Sequence, residues 1–160
     1  MFTTRLAGVE DSTLISGQRH RMFVDSGQAD DARMTAVMAE FEPWVRVRLA
    51  AGSYVGWLTS PEGEAETIVA GAGLWLMDFP PHFLDAGSTR GYLLNFYVEP
   101  EWRGQGLAYR LLRTAVEETK RRGIGIVSLH ASVFGKPLYE RNGFKVSNEM
   151  LLRTKDASEA

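Results

Sequence analysis

The sequence predicts an α/β domain built on a mixed sheet. Three observations carry this: helical and strand patterns alternate along the chain, hairpin signals stand near both ends, and one apolar strand leads directly into a strongly amphipathic helix. At 160 residues, 44% apolar and 24% charged, the chain suits one domain with an ordinary core. The expected limits are residues 1–153, with 154–160 a loose polar tail.

A short strand fits Thr3–Leu6. Glu10–Asp11–Ser12 supplies helix-starting chemistry, and Ile15, Met22 and Phe23 recur at helical spacing up to Asp25. Met34, Val37, Met38 and Phe41 form an i, i+3, i+4, i+7 stripe on a second helix, which Pro43 should break or kink. Tyr54–Thr59 and Ile68–Met77 are strand-rich and flank the polar turn Ser60–Glu66, a hairpin pattern. Asp78–Gly91 is a long irregular loop. Tyr92–Val98 is an apolar central strand. In the next helix Leu107, Ala108, Leu111, Leu112, Ala115 and Val116 line one face, and Arg110, Arg113, Glu117, Lys120 and Arg121 take the other. Glu117–Arg121 and Glu118–Arg122 are i, i+4 pairs, and Gly123 ends the helix. Ile124–Leu129 predicts a buried strand and Lys136–Asn142 a short helix stopped by Gly143. Phe144–Val146 and Met150–Leu152 predict a final hairpin.

Composition narrows the function classes. A net charge of -2 gives no electrostatic footprint for nucleic acid. With no cysteine, disulfides, thiolate metal sites and cysteine nucleophiles are excluded. His20, His82 and His130 form no metal-ligand pair, so no metal is expected. The N-terminus lacks an apolar signal core, and Ile68–Met77 is too short to span a bilayer; a cytoplasmic protein without membrane attachment is expected.

The chemistry concentrates in "VEPEWRGQGLA", Val98–Ala108. Pro100 has no N–H for a ladder, so the strand must part from a neighbour there. Gly104 and Gly106 uncover the first amides of the following helix, where partial positive charge gathers, and Arg103 adds a full charge. Such a turn suits a phosphate or pyrophosphate. Glycines are also common at strand-to-helix turns, and a solvated arginine would account for Arg103. Tyr109 breaks the G-x-G-x-x-G/A dinucleotide pattern, and Pro137 after Gly135–Lys136 breaks the P-loop.

The same stretch resembles motif A of the GNAT N-acetyltransferase superfamily, V-x-P followed by [QR]-x-x-G-x-[GA], with Arg103, Gly106 and Ala108 at the defined positions. "PLYERNGF", Pro137–Phe144, resembles the second signature of that family. The likeness covers about Leu93–Phe144; the first half agrees only in the order of its elements.

The resemblance implies a mostly antiparallel mixed sheet of six or seven strands with splayed central parallel strands, flanked by about four helices. It implies acetyl-CoA as acyl donor. Phe96, Tyr97 and Val98 would meet the pantetheine arm, and Arg103, Gly104, Gln105, Gly106, Leu107 and Ala108 the pyrophosphate. Tyr139 matches the tyrosine that protonates the departing thiolate, a role open against simple packing or bonding to CoA. His130 is a candidate base or a structural histidine, Glu99 a further carboxylate, and a water chain would need neither. Ser132 stands where the family often has asparagine and Gly135 where it has alanine, which puts the local geometry in doubt. Lys136 is a candidate for a CoA phosphate or an ordinary surface lysine.

Asn95, Trp75 and Asp78 are candidates to shape the acceptor site, with Trp57, Met77 and Tyr97 beside them and Glu40 and Glu42 as acidic groups. The expected reaction moves acetyl from acetyl-CoA to a primary amine of a small molecule or peptide by direct attack in a ternary complex. The alternatives are a CoA-binding sensor or interaction module without turnover, and transfer of a longer acyl group or to a hydroxyl. A homodimer is compatible with the resemblance.

Overall fold

In the computed structural model, which describes residues 1–155, one sheet of five strands organises the first unit, Met1–His130. Its order is β1 (Phe2–Leu6), β2 (Tyr54–Pro61), β3 (Ala70–Asp78), β4 (Thr89–Val98) and β5 (Val127–Leu129). The first three pairings are antiparallel and β4–β5 is parallel. Of the six or seven strands expected, five are present among the described residues. Helices α1 (Ser12–Asp25), α2 (Asp31–Ala51) and α3 (Leu107–Arg121) belong to this unit, and α4 (Lys136–Arg141) to the second, which begins at Ala131.

Alternation along the strands sets the two faces. On one, Ile15 of α1 and Phe41 and Val45 of α2 close over Tyr54 and Leu58, with Trp44, Trp75 and Leu94 packed against them. On the other, the neighbouring positions Leu74 and Leu93 are buried with Leu111, Leu112 and Ala115, the predicted stripe of α3. A Cβ on Gly91 would lie 3.2 Å from Thr119 of α3, so the helix runs close over the strand there.

Pro43 does not break α2, which continues through it to Ala51. The proline lies on the exposed side, while Phe41, Val45 and the stacked Trp44 ring hold both halves on the core. One lost helical hydrogen bond is the smaller term against that burial. The helix then ends at Gly52, left-handed with φ 71°.

The loop after β3 is shorter than expected. Thr89 and Arg90 pair with Asp78 and Met77, so β4 begins three residues before Tyr92. Conversely, the strand after α3 starts late. Ile124 N donates to Thr119 O across Gly123, which closes the helix end and leaves three residues for β5. Of the predicted charge pairs Glu118–Arg122 is present at 2.6 Å, whereas Arg121 also turns to Glu118.

In the second unit α4 stops after Arg141 and the chain turns left-handed at Gly143, φ 89°, with Phe144 N donating to Tyr139 O. Phe144–Leu152 carries no strand, contrary to the expected hairpin. Two segments of three residues are too short to form a stable ribbon by themselves. Of the expected tail, residues 156–160 lie outside the described residues.

Candidate active site

The parallel ladder between β4 and β5 covers only Gly91–Leu93 opposite Val127–Leu129. Beyond it β4 runs on to Val98, still paired with β3 on its other edge. Gly73 lies opposite Leu94 but Gly71 opposite Tyr97, so β4 holds one extra residue: a β-bulge at Asn95 and Phe96. Asn95 adopts φ 58°, the left-handed region that asparagine tolerates better than most residues. Its buried amide donates to the Tyr54 hydroxyl at 2.8 Å and accepts from Arg19 Nη1 at 2.7 Å. Asn95, expected at the acceptor site, lies in the bulge and is bonded to Tyr54 and Arg19.

After the bulge, Glu99 N donates to Val69 O at 2.9 Å and Tyr97 pairs with Gly71. Tyr97 and Glu99 therefore direct their main-chain groups at β3, and Val98 between them faces the opposite edge, where β5 has ended. Its carbonyl there accepts Arg103 Nε at 2.9 Å. The Tyr97 side chain is buried, and desolvation raises its phenol above the usual value.

A short 3-10 turn at Pro100–Trp102 then leads to Gly104 and Gly106, both left-handed at φ 78° and 77°. Nothing lies within 4 Å of a Cβ built on either. Gly106 caps α3 without a side chain, and the ladder opens with Arg110 N on Gly106 O, so the amides of Leu107, Ala108 and Tyr109 have no partner within the helix. An exposed glycine turn before an uncapped helix of fifteen residues fits a pyrophosphate. Arg103 contributes less freely than its charge implied. Its guanidinium is paired with Asp25 at the end of α1 at 2.6 Å, and its amide bonds Pro100 O.

At the fork, His130 follows the last laddered residue of β5 and its Nδ1 is hydrogen-bonded to the Tyr92 hydroxyl. The Tyr92 ring meets Trp75 edge-on at 6.2 Å, and Trp75 meets Trp44 of α2 at 5.1 Å. Trp75 thus joins a row of rings from α2 to the fork, while Asp78 is exposed at the end of β3. Trp57 is a core residue, 5% exposed.

In the second unit Ser132 Oγ accepts the Gly135 amide at 3.1 Å and its carbonyl accepts the Lys136 amide at 2.9 Å. Serine there closes the turn into α4. Lys136 pairs with Glu140 at 3.6 Å. Tyr139 packs edge-on against Phe144 at 5.8 Å, and burial pushes its phenol up to about 12, which keeps it protonated at neutral pH.

Tyr92 and Arg19 were not singled out from the sequence. Tyr92 reads as one more apolar strand residue, and Arg19 as a polar position on an amphipathic helix. No local signal distinguishes them, because their partners are 38 and 76 residues away.

The fork and the bulge open the sheet beside the glycine turn and the uncapped start of α3. Residues 20–144 match the model of the acetyltransferase (GNAT) family, and the chain belongs to that family. The crystal structure of a GCN5-related N-acetyltransferase from Ralstonia eutropha JMP134 is 35% identical with a TM-score of 0.89, over 96% of this chain and 98% of that one. A predicted acetyltransferase with acetyl-CoA from Clostridium acetobutylicum is 30% identical with a TM-score of 0.87, over 96% of both chains. The glucosamine 6-phosphate N-acetyltransferase of Trypanosoma brucei brucei is 30% identical over 84 residues, 52% of this chain and 55% of that protein. The match thus spans about half the length of that curated relative. Among the described residues no group of acidic or histidine side chains could hold a metal, and no helix is long and apolar enough to cross a membrane.

Proposed function

We propose that this protein moves an acetyl group from acetyl-CoA to a primary amine of a small molecule or peptide by direct attack in a ternary complex. The observation that carries the reading is the Asn95 bulge beside the end of the β5 ladder, followed at once by the uncapped, doubly left-handed glycine start of α3. The similar C. acetobutylicum protein, whose structure is with acetyl-CoA, supports the donor.

In this reading Val98 and the bulged Phe96 present main-chain groups to the pantetheine arm, and the turn from Gly104 to Ala108 holds the pyrophosphate, with Gln105 and Leu107 giving amides. Arg103 braces the turn through Val98 and Asp25. Ser132 shapes the entry to α4, and Lys136 offers charge to a phosphate. Tyr139 is the acid, a neutral desolvated phenol. His130 is the base: with Nδ1–H donated to Tyr92, Nε2 keeps its lone pair for the incoming ammonium proton. Trp75 and Asp78 border the acceptor. A cytoplasmic location and a homodimer belong to the same proposal.

Acetyl-CoA is expected to raise the thermal midpoint, by about 2.7 kcal/mol of stabilisation at a hundred times its Kd. A panel of primary amines should then release CoA. Gly106→Val forces a β-branched side chain into the left-handed region and should weaken acetyl-CoA binding about tenfold or more by calorimetry. Unchanged affinity in a folded variant would remove the cradle from the proposal. Tight binding without turnover on any amine would select the non-enzymatic module instead.

His130→Gln should lower kcat by about a hundredfold or more, and Tyr92→Phe by about fivefold. Wild-type turnover in a folded His130→Gln returns the base role to a water chain.

A further inference from the structure

We infer that the acceptor carries an anionic group, a carboxylate or a phosphate, and that Arg19 receives it. This rests on the acetyltransferase reading for the reaction but not for the binding.

Arg19 lies on the inner side of α1 with its guanidinium over the rings of Phe23 and Phe41, at 4.9 and 4.7 Å from their centroids. The rings fix its plane and strip water from its faces. Nη1 donates to the Asn95 amide oxygen at 2.7 Å, whereas Nε is buried with no hydrogen-bond partner. Among the described residues no carboxylate lies within ion-pair distance of it.

Other arginines around the sheet are paired: Arg5 with Asp11, Arg21 with Glu99, and Arg103 with Asp25. Arg90 also has a buried unpartnered Nε, but it covers the Phe79 ring near the start of β4, five residues before the bulge. The ionisable groups that act on Arg19 electrostatically are the phenols Tyr54 and Tyr92. Burial pushes Tyr54 up to about 12, so its phenol supplies no negative charge at neutral pH. Burial also lowers the pKa of Arg19 itself, the mark of a charge short of compensation.

A guanidinium held by rings, bonded once to a neutral amide and lacking a carboxylate is completed by an external anion. Its position fits an acceptor. Asn95 ties it to the bulge, and Tyr92, three residues back along β4, carries His130 at the fork. A short amine with its anion on Arg19 would extend along the α1 side of β4 toward that pair.

The test uses matched ligands on the wild-type protein without cofactor. The pairs are amino acids against their amides, and an amino-sugar phosphate against the parent amino sugar. Calorimetry should show at least one anionic member binding about tenfold tighter than its neutral partner, the size expected for one charge-assisted contact. The two series separate carboxylate from phosphate. Arg19→Lys, which keeps the charge, should retain part of that difference, and Arg19→Gln should erase it. In turnover Arg19→Gln should raise KM for the anionic acceptor more than for its neutral partner. No difference within any pair, including no binding by either member, overturns the inference, as does discrimination that survives in Arg19→Gln. Failure of acetyl transfer alone, with the anion preference intact, would sink the reaction and leave the site.

Discussion

Tyr139→Phe should lower kcat by about a hundredfold to ten-thousandfold, the range of one positioned proton donor, with acetyl-CoA affinity nearly unchanged. The hydroxyl is the only group removed, and the ring keeps its edge-on contact with Phe144 and its place in α4. Desolvation holds the phenol neutral, so its proton is available across the working pH range. The sign of the shift makes a second demand. A phenol raised from 10 to about 12 stays protonated until well above pH 10, so no alkaline fall in kcat should arise from it below that point. Steady-state kinetics from pH 6 to 10 on both proteins would measure this. Wild-type turnover in a folded Tyr139→Phe would assign the tyrosine to packing alone.

The second large effect is on stability. Gly73→Ala should cost about 3 kcal/mol and lower the thermal midpoint by about 10 °C. A Cβ at Gly73 would overlap the hydroxyl and ring of Tyr54, which is 3% exposed and has no room to withdraw. That hydroxyl accepts the Asn95 amide, which in turn accepts Arg19. Displacing it therefore strains the core and loosens the bulge together. Acetyl-CoA binding should weaken with the fold, because the bulge sets which main-chain groups face the open edge. A denaturant midpoint equal to wild type would show that Tyr54 can move aside and that the network is not rigid.

The parts of the fold visible beforehand were those with a local cause. The stripe of α3 follows the helical period over fifteen residues and is buried as expected. The turn before it was legible because glycine at 104 and 106, after Pro100, permits a left-handed backbone that other residues resist, and both residues adopt it. Where reading failed, a distant contact outweighed a local preference. Pro43 was expected to break or kink α2; the helix runs on through it, with Trp44 and Val45 beyond it held against the core. Ile124 has strand character, yet its amide is spent on closing α3. The expected last hairpin is not formed by the described residues, as nothing in those short segments makes them pair.

The candidate site divides in the same way. Tyr139, Ser132 and the glycine turn are proposed for the site from motif and spacing. Asn95 was expected only as an acceptor-site candidate, and its bonds across the bulge to Tyr54 and Arg19, 41 and 76 residues distant, were not legible. By itself the sequence determined the family, the glycine turn and the helix that starts there. These depend on backbone conformations that a few adjacent residues dictate. Only the tertiary structure decided that β4 bulges where β5 ends, that Tyr92 holds His130, and that Arg19 lies over two rings with no acid paired to it among the described residues. Those facts belong to side chains brought together across the sheet, and no neighbour in sequence encodes them.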